Sequence, residues 1–248
     1  MDIYGLIGKN IKHSFSPDYM NHYFQKNGID AEYRLFELDS PEEFPDLIAA
    51  NIDLVGLNVT IPYKRSLGQY FHSLDKPAIL TGAINTIKIA RQKNKTILTG
   101  YNTDVIGFEK TIRPIIKNRR ITKAIILGTG GSSNSVAYVL RRLGIVFSYV
   151  TRTPCKIMHT HYAWLDEKKV KDSLLIINTT PLGMFPDTNS FPPLPYQFIT
   201  DKHILYDLVY NPKETMFLKK GCEQGATCVN GQQMLEIQAD MSLKIWGK

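Results

Sequence analysis

The chain has 248 residues, 43% hydrophobic and 21% charged, which is the composition of a globular protein long enough for two modest domains. No apolar run approaches the length of a membrane span and residues 1–5 lack the features of a signal peptide, so we expect a cytoplasmic protein without a membrane partner. The formal charge of +7 would suit an anionic partner, but the basic residues are dispersed and the cluster at 117–123 is interpreted as a linker, not a nucleic-acid groove.

Cysteines and histidines give no pattern typical of a metal site. The three cysteines are odd in number and form no Cys-x-x-Cys pair, which argues against a disulfide framework or a zinc site: Cys155, Cys222 and Cys228. His159 and His161 are two residues apart, a spacing that points them away from each other on a helix. We therefore predict no metal, and we assign His13 a structural role.

Strand and helix signals alternate through the first hundred residues, which predicts an α/β domain. The predicted strands are Asp2–Gly8, Ala31–Leu38, Asp53–Leu57, Ala83–Ala90 and Thr96–Gly100. The predicted helices are Pro17–Asn27 with Ser16 as its N-cap, one beginning at Ser40 and Pro41, and one running towards His72.

The group from Asn58 to Lys64 follows one of these strands. Pro62 cannot donate to a strand ladder, so it ends the strand and turns the chain. Lys64 then emerges one short turn beyond a buried edge, where an ammonium can act as a proton donor. The seven residues alone leave open the alternative of an ordinary surface lysine after a turn.

The second half begins with a different pattern. The predicted strand Lys123–Leu127 runs directly into the glycine-rich segment 128–133, and helical spacing follows over Val136–Leu143. A glycine-rich turn between a strand and a helix allows backbone amides to approach a pyrophosphate at the positive end of the helix. This pattern predicts a dinucleotide-binding turn.

The residues after the next predicted strand, Val146–Val150, indicate which dinucleotide binds. An NAD site commonly places Asp or Glu there to accept from the ribose 2′-hydroxyl. This chain has Thr151, Arg152 and Thr153, with Lys156 following. Cations and hydroxyls at this position favour a 2′-phosphate and hence NADP, although a basic turn can also be solvated surface.

The remaining elements predict a parallel, doubly wound sheet. They are strands Leu174–Ile177, His203–Val209 and Thr227–Val229, and helices Lys213–Gln224 and Gln232–Trp246. The segment Pro181–Thr200, rich in Pro, Asn and Ser, is interpreted as a long surface loop and a candidate lid. The last helix is expected to return to the first domain, giving domains at 1–104 plus 232–248 and at 105–231.

Seven blocks in one order, spread over nearly the whole length, resemble the shikimate dehydrogenase family. They are GLIGKNIKHSFSPDYMN at 5–21, GLNVTIPYK at 56–64, GAINT at 82–86, GYNTD at 100–104, NTTPLGM at 178–184, DLVYNPKET at 207–215 and NGQQMLEIQA at 230–239. The resemblance implies a two-domain α/β fold, with an N-terminal substrate domain and a Rossmann-like cofactor domain. It also implies reduction of 3-dehydroshikimate to shikimate with NADPH.

The same resemblance implies roles for individual residues. Lys64 and Asp104 resemble the catalytic pair. The residues that resemble the substrate shell are Ser14, Ser16, Asn58, Thr60, Asn85, Tyr210 and Gln238. Those that resemble the cofactor site are Gly128, Thr129, Gly130, Gly131, Ser132, Thr151, Arg152, Thr153, Lys156, Gly231 and Met234. We expect a monomer or a homodimer whose partner is a small-molecule substrate.

Two alternatives keep the same fold. One is a quinate or shikimate dehydrogenase with a relaxed choice of substrate or with NAD as its cofactor. The other is a nucleotide-binding sensor or interaction module without turnover. The presence of Lys64 and Asp104 argues against the second alternative.

Overall fold

The computed structural model describes residues 1–12, 14–93 and 95–248, so the structural role predicted for His13 lies outside the described residues. The chain divides into two compact units. The first contains Met1–Thr103 and Gln238–Lys248, and the second contains Asp104–Ile237. Among the described residues, no helix combines the length and the apolar character needed to cross a membrane.

The first unit is built on a mixed sheet. Its strands are β1 (Asp2–Gly8), β2 (Ala31–Glu37), β3 (Leu54–Val59), β4 (Ser73–Leu74), β5 (Thr86–Gln92) and β6 (Lys95–Tyr101). Its helices are α1 (Ser16–Lys26), α2 (Phe44–Ala50) and α3 (Lys76–Thr81). The strand order is β2-β1-β3-β5-β6-β4, with β1 parallel to β2 and β3, and β5 antiparallel to β3 and β6.

Two sequence predictions in this unit are wrong. Ser16 is the first residue of α1 and not its N-cap; the backbone amide of Ser16 instead donates to the Ser14 hydroxyl over 3.3 Å. The helix predicted towards His72 is replaced by two short 3₁₀ turns, Tyr63–Arg65 and Gly68–Tyr70. Tyr63 and Leu67 are both buried four residues apart, so their spacing imitates a helix that the chain does not form.

The second unit is built on a parallel sheet. Its strands are β7 (Lys123–Leu127), β8 (Val146–Thr151), β9 (His159–His161), β10 (Leu175–Asn178), β11 (Ile204–Asp207) and β12 (Thr227–Val229). Its helices are α4 (Asp104–Ile116), α5 (Gly131–Arg142), α6 (Glu167–Asp172) and α7 (Met216–Cys222), and the last helix, α8 (Gln232–Trp246), begins here. The strand order is β12-β11-β10-β7-β8-β9, and each neighbouring pair is parallel.

Alternate residues of β7 bury opposite faces of this sheet. Ala124 and Ile126 belong to one apolar cluster, whereas Ile125 and Leu127 belong to another. A strand buried on both faces is typical of a doubly wound α/β sheet. The chain order reverses between β7 and β10, and ligands of such sheets bind beyond the strand carboxyl ends at this switch point.

Helix α8 completes the core of the first unit with its C-terminal half. Leu243 and Trp246 are buried in a cluster with Tyr4, and the Trp246 indole N–H donates to the Ile87 carbonyl oxygen over 2.9 Å. A Cβ at Gly56 would collide with the Trp246 ring, so only glycine fits there. The predicted return of the last helix to the first domain is confirmed.

Two segments of the second unit differ from expectation. The segment 181–200 is a surface loop only in its first half, because residues 184–187 are exposed whereas Leu194 and Ile199 are buried in the core. Cys222 and Cys228 pair as a disulfide between the end of α7 and β12, with their Cα atoms 6.2 Å apart. The odd number of cysteines does not predict this local pairing, which leaves Cys155 free and exposed.

Candidate functional site

Asn58 lies near the end of β3 at the centre of a buried polar cluster in the first unit. Its side-chain oxygen accepts from the Tyr33 hydroxyl over 2.8 Å, and its side-chain amide donates to the Ser242 hydroxyl over 2.9 Å. The same amide lies 3.2 Å from the Thr86 hydroxyl. Asn58 is only 6% exposed, and these contacts fix its orientation.

Asn85 and Gln238 belong to the same polar cluster. The Asn85 side-chain amide donates to the Thr103 hydroxyl over 2.9 Å, and the Thr103 backbone amide donates to the Asn85 side-chain oxygen over 2.7 Å. Asn85 also donates to the Gln238 side-chain oxygen over 3.3 Å. The structure thus brings together three predicted substrate-binding residues, one from β3, one immediately before β5 and one from α8.

Lys64 sits on the 3₁₀ turn that follows β3. Thr60 begins this turn, because its carbonyl oxygen accepts from the Tyr63 backbone amide over 2.9 Å. The Tyr63 hydroxyl donates to the Leu38 carbonyl oxygen over 2.7 Å, and the Ile84 amide donates to the Lys64 carbonyl oxygen over 2.7 Å. The backbone of the half-buried Lys64 is therefore held by hydrogen bonds to the segments that flank β2 and β5.

Ser14 and Ser16 form a second polar group, immediately before and at the start of α1. The Ser14 hydroxyl donates to the Ser16 hydroxyl over 3.2 Å, and both residues are half-buried. Two hydroxyls held at this separation can bind the two oxygens of one carboxylate. The first N–H groups of α1 favour an anion at the same place.

The glycine turn, residues 128–132, joins β7 to α5 at the switch point of the second unit. Gly128 has a φ of +100°, and a Cβ there would lie 2.9 Å from Thr180 Cγ2. Helix α5 begins at Gly131, earlier than the Val136 predicted from spacing, so the glycines form the helix N-terminus itself. Backbone amides at the N-terminus of a helix donate to a bound phosphate, which fits the pyrophosphate of a dinucleotide.

The basic residues after β8 lie beside the glycine turn. The Gly128 amide donates to the Val150 carbonyl oxygen over 2.9 Å, so the carboxyl ends of β7 and β8 meet here. Arg152 and Thr153 follow directly and are exposed, as is Lys156. Exposed cations one strand away from a phosphate-binding turn fit a ribose 2′-phosphate. Thr151 is half-buried, and its hydroxyl accepts from the Thr153 amide over 3.4 Å.

The other predicted site residues of the second unit lie at the ends of its elements. Gly231 precedes α8, Met234 is buried in the core on the first turn of that helix, and Tyr210 follows β11 and is half-buried. Asp104 opens α4 and is 5% exposed. Lys64 and Asp104 belong to different units, as do the two serines and Tyr210, so these two pairings stay predictions.

Several polar residues of these clusters carry no individual prediction. In the first unit these are Tyr33, Thr86, Thr103 and Ser242; Thr86 and Thr103 fall within the recognised motifs, whereas Tyr33 and Ser242 have no local signal.

In the second unit Asp207, which also carries no individual prediction, is fully buried at the end of β11. Burial raises the pKa of the Asp207 carboxyl to about 7, although hydrogen bonds from Thr215, Val209 and Asn178 favour its charged form.

Comparison with known proteins agrees with this architecture. The family described as shikimate dehydrogenase substrate binding domain matches residues 6–87. The shikimate dehydrogenase (NADP(+)) of Clostridium botulinum is 36% identical over 255 aligned residues, covering 98% of this chain and 95% of that protein. The chain belongs to the shikimate dehydrogenase family, and the resemblance inferred from the seven blocks is confirmed.

Solved structures show the same fold. The shikimate dehydrogenase of Aquifex aeolicus has a TM-score of 0.85 at 31% identity, covering 99% of this chain and 92% of that one. A shikimate 5-dehydrogenase from Thermus thermophilus, solved in complex with NADP(H) and shikimate, has a TM-score of 0.82 at 25% identity, covering 99% and 93%. The predicted fold class, an α/β substrate domain with a Rossmann-like cofactor domain, is confirmed.

Proposed function

We propose that this chain catalyses the reversible, NADP-dependent reduction of 3-dehydroshikimate to shikimate. The observation that supports the proposal most strongly is that the chain is 36% identical, over 98% of its length, to the shikimate dehydrogenase (NADP(+)) of Clostridium botulinum. The glycine turn beside Arg152 and the polar cluster around Asn58 and Asn85 are the structural features that fit this reaction.

The second unit supplies the cofactor site. Residues 128–132 bind the pyrophosphate through backbone amides, and Arg152, Thr153 and Lys156 bind the 2′-phosphate, with Thr151 supporting the turn. Gly231 and Met234 lie against the nicotinamide. Bound NADPH supplies the hydride, and the protein contributes orientation and charge.

The first unit supplies most of the substrate site. Ser14 and Ser16 bind the substrate carboxylate, with Tyr210 close by. Asn58, Thr60, Asn85 and Gln238 surround the ring hydroxyls. Because these polar groups are held at fixed positions, an analogue that lacks a ring hydroxyl loses a hydrogen bond to the site and binds less tightly.

Lys64 and Asp104 are the catalytic residues of this proposal. As hydride reaches the carbonyl carbon, the two electrons of the C=O π bond move to oxygen, which needs a proton. Lys64 gives that proton to the oxygen in the reduction and takes it back in the oxidation. Asp104 orients the ammonium and accepts from a neighbouring substrate hydroxyl.

Steady-state kinetics with shikimate and quinate, and with NADP and NAD, test the proposal. Purified protein should form NADPH from shikimate and NADP faster than it reduces NAD or oxidises quinate. Lys64→Ala should retain NADP binding but lose about 10²–10⁴-fold in turnover, the usual contribution of a general acid or base. Lys88→Ala, at an exposed lysine of the same unit, is the matched control and should keep its rate. Turnover that survives Lys64→Ala would contradict the assigned chemistry.

Each of the two domains has one role in this proposal. We assign the substrate to residues 1–104 with 232–248 and NADP to residues 105–231, close to the limits of the two compact units. A cytoplasmic monomer or homodimer is the form in which we expect the enzyme to act.

A further inference from the structure

Asp207 is a buried carboxylate that joins separate segments at the carboxyl edge of the second unit's sheet. Its Oδ1 accepts from the Asn178 side-chain amide over 2.9 Å and from the Val209 backbone amide over 3.0 Å. Its Oδ2 accepts from the Thr215 hydroxyl over 2.6 Å. The residue is 0% exposed and is not among the residues assigned to the substrate or the cofactor, so the role of its contacts remains to be explained.

One set of contacts leads from Asp207 to the glycine turn. The Asn178 side-chain oxygen accepts from the Thr180 amide over 3.0 Å and from the Thr180 hydroxyl over 2.6 Å. The neighbouring Thr179 hydroxyl donates to the Leu127 carbonyl oxygen over 2.6 Å, immediately before Gly128. Thr179 and Thr180 are also the residues that a Cβ at Gly128 would meet. The segment that Asp207 holds therefore forms the wall behind the glycine turn.

A second set of contacts leads to the turn formed by Asn230 and Gly231. The Gly231 amide donates to the Val209 carbonyl oxygen over 3.1 Å, and a Cβ at Gly231 would collide with the Leu208 carbonyl oxygen. Asp207 fixes the backbone of this same stretch through the Val209 amide. The turn before α8 therefore packs against the segment 208–209, whose backbone Asp207 fixes.

We propose that Asp207 is a positioning residue that sets the spacing between the glycine turn and the 230–231 turn, matching the site to the length of a dinucleotide. The inference rests on the proposed function, in which the first turn holds the pyrophosphate and the second lies beside the nicotinamide. Above about pH 7, where it is ionised, the carboxylate suits this task because it accepts from three donors on three segments at once. An amide of the same shape offers only one acceptor oxygen.

Ligands of two lengths test the proposal. NADP spans both turns, whereas adenosine 2′,5′-bisphosphate reaches only the glycine turn and the residues after β8. In Asp207→Asn the dissociation constant for NADP should rise about tenfold, while that for the bisphosphate should change by less than about twofold. Both constants are measured by calorimetry on the full chain at pH 8, where the Asp207 carboxyl is ionised, after circular dichroism has shown that the variant is folded.

Two further variants keep the test decisive. At nearly constant volume, Thr215→Val removes both the donor to Asp207 and the acceptor that caps α7. It should show the same selectivity to a smaller degree, and it gives the answer if Asp207→Asn does not fold. Val170→Ala opens a cavity in the core of the same unit but leaves the three hydrogen bonds of Asp207 in place, and should alter neither constant.

The possible results separate this inference from the proposed function. Equal losses for both ligands, or no loss for either, would overturn the role of Asp207 while the proposed function stands. Absence of NADP binding by the unmodified chain would overturn both. A loss confined to NADP in Asp207→Asn or Thr215→Val supports the spacing role.

Discussion

The side-chain amide of Asn58 donates to the hydroxyl of Ser242 over 2.9 Å, joining the end of β3 to the C-terminal helix across 184 residues of sequence. Ser242 is 0% exposed and also lies 2.8 Å from the Thr86 hydroxyl. A residue of the last helix thus holds the orientation of an amide assigned to the substrate. The C-terminal helix therefore contributes to the candidate substrate site as well as to the core of the first unit.

Ser242→Ala should test this link. Removing the hydroxyl leaves buried polar partners without their contact, which should lower the free energy of unfolding by about 1–3 kcal/mol. The Michaelis constant for shikimate should rise, with a smaller change in that for NADP, because Asn58 loses one of the contacts that fix its orientation. Urea unfolding and steady-state kinetics measure both effects. Ser73→Ala, at an exposed serine of the same unit, should leave both unchanged, and equal behaviour of the two variants would count against the link.

Gly56→Ala should weaken the docking of the C-terminal helix. The added Cβ meets the Trp246 ring, and overpacking of this kind typically costs about 1–3 kcal/mol. The urea midpoint should fall and the tryptophan emission should shift to the red as Trp246 loses its buried position. Gly68→Ala is the control, because a Cβ there has nothing within 4 Å. A stable Gly56→Ala protein with unchanged emission would refute the packing argument.

The sequence predicts where most strands lie along the chain, because each strand is marked by a local apolar run. It predicts a substrate-binding role for Asn58 and Asn85 because both lie in recognisable blocks. The sequence does not predict the contacts of Tyr33 and Ser242 with Asn58, because these contacts join segments that are distant along the chain. Helix α3 is missed although Asp75 caps it and Gly82 ends it, since six residues are too few to show a helical period. Whether Lys64 meets Asp104 depends on the arrangement of two separate units, which no local pattern encodes.

Asp207 should give the protein a pH-dependent stability. The folded chain keeps the proton of this carboxyl until about pH 7, whereas the unfolded chain releases it near the ordinary value of 3.8. Raising the pH through this window therefore favours unfolding, by at most about 1.4 kcal/mol per pH unit. The contribution is fully present below about pH 4 and is lost as the pH passes about 7. Urea unfolding across this range should show a steeper decline for the unmodified chain than for Asp207→Asn; parallel curves would disprove the assignment.

Arg152→Ala should change the choice of cofactor. Loss of a charge-assisted contact to the 2′-phosphate should raise the Michaelis constant for NADPH by about 10–100-fold and leave that for NADH nearly unchanged. The exposed Arg120 of the same unit provides the control, and Arg120→Ala should leave both constants as they are. An equal rise in the Michaelis constants for NADPH and NADH would show that Arg152 does not bind the 2′-phosphate.

The initial rate of NADPH formation from shikimate and NADP by the purified, folded chain tests the central claim most directly. We predict saturable turnover with both reactants, falling by about two orders of magnitude or more in Lys64→Ala. Absence of NADPH formation by the unmodified protein, with its fold verified by circular dichroism, would contradict the account.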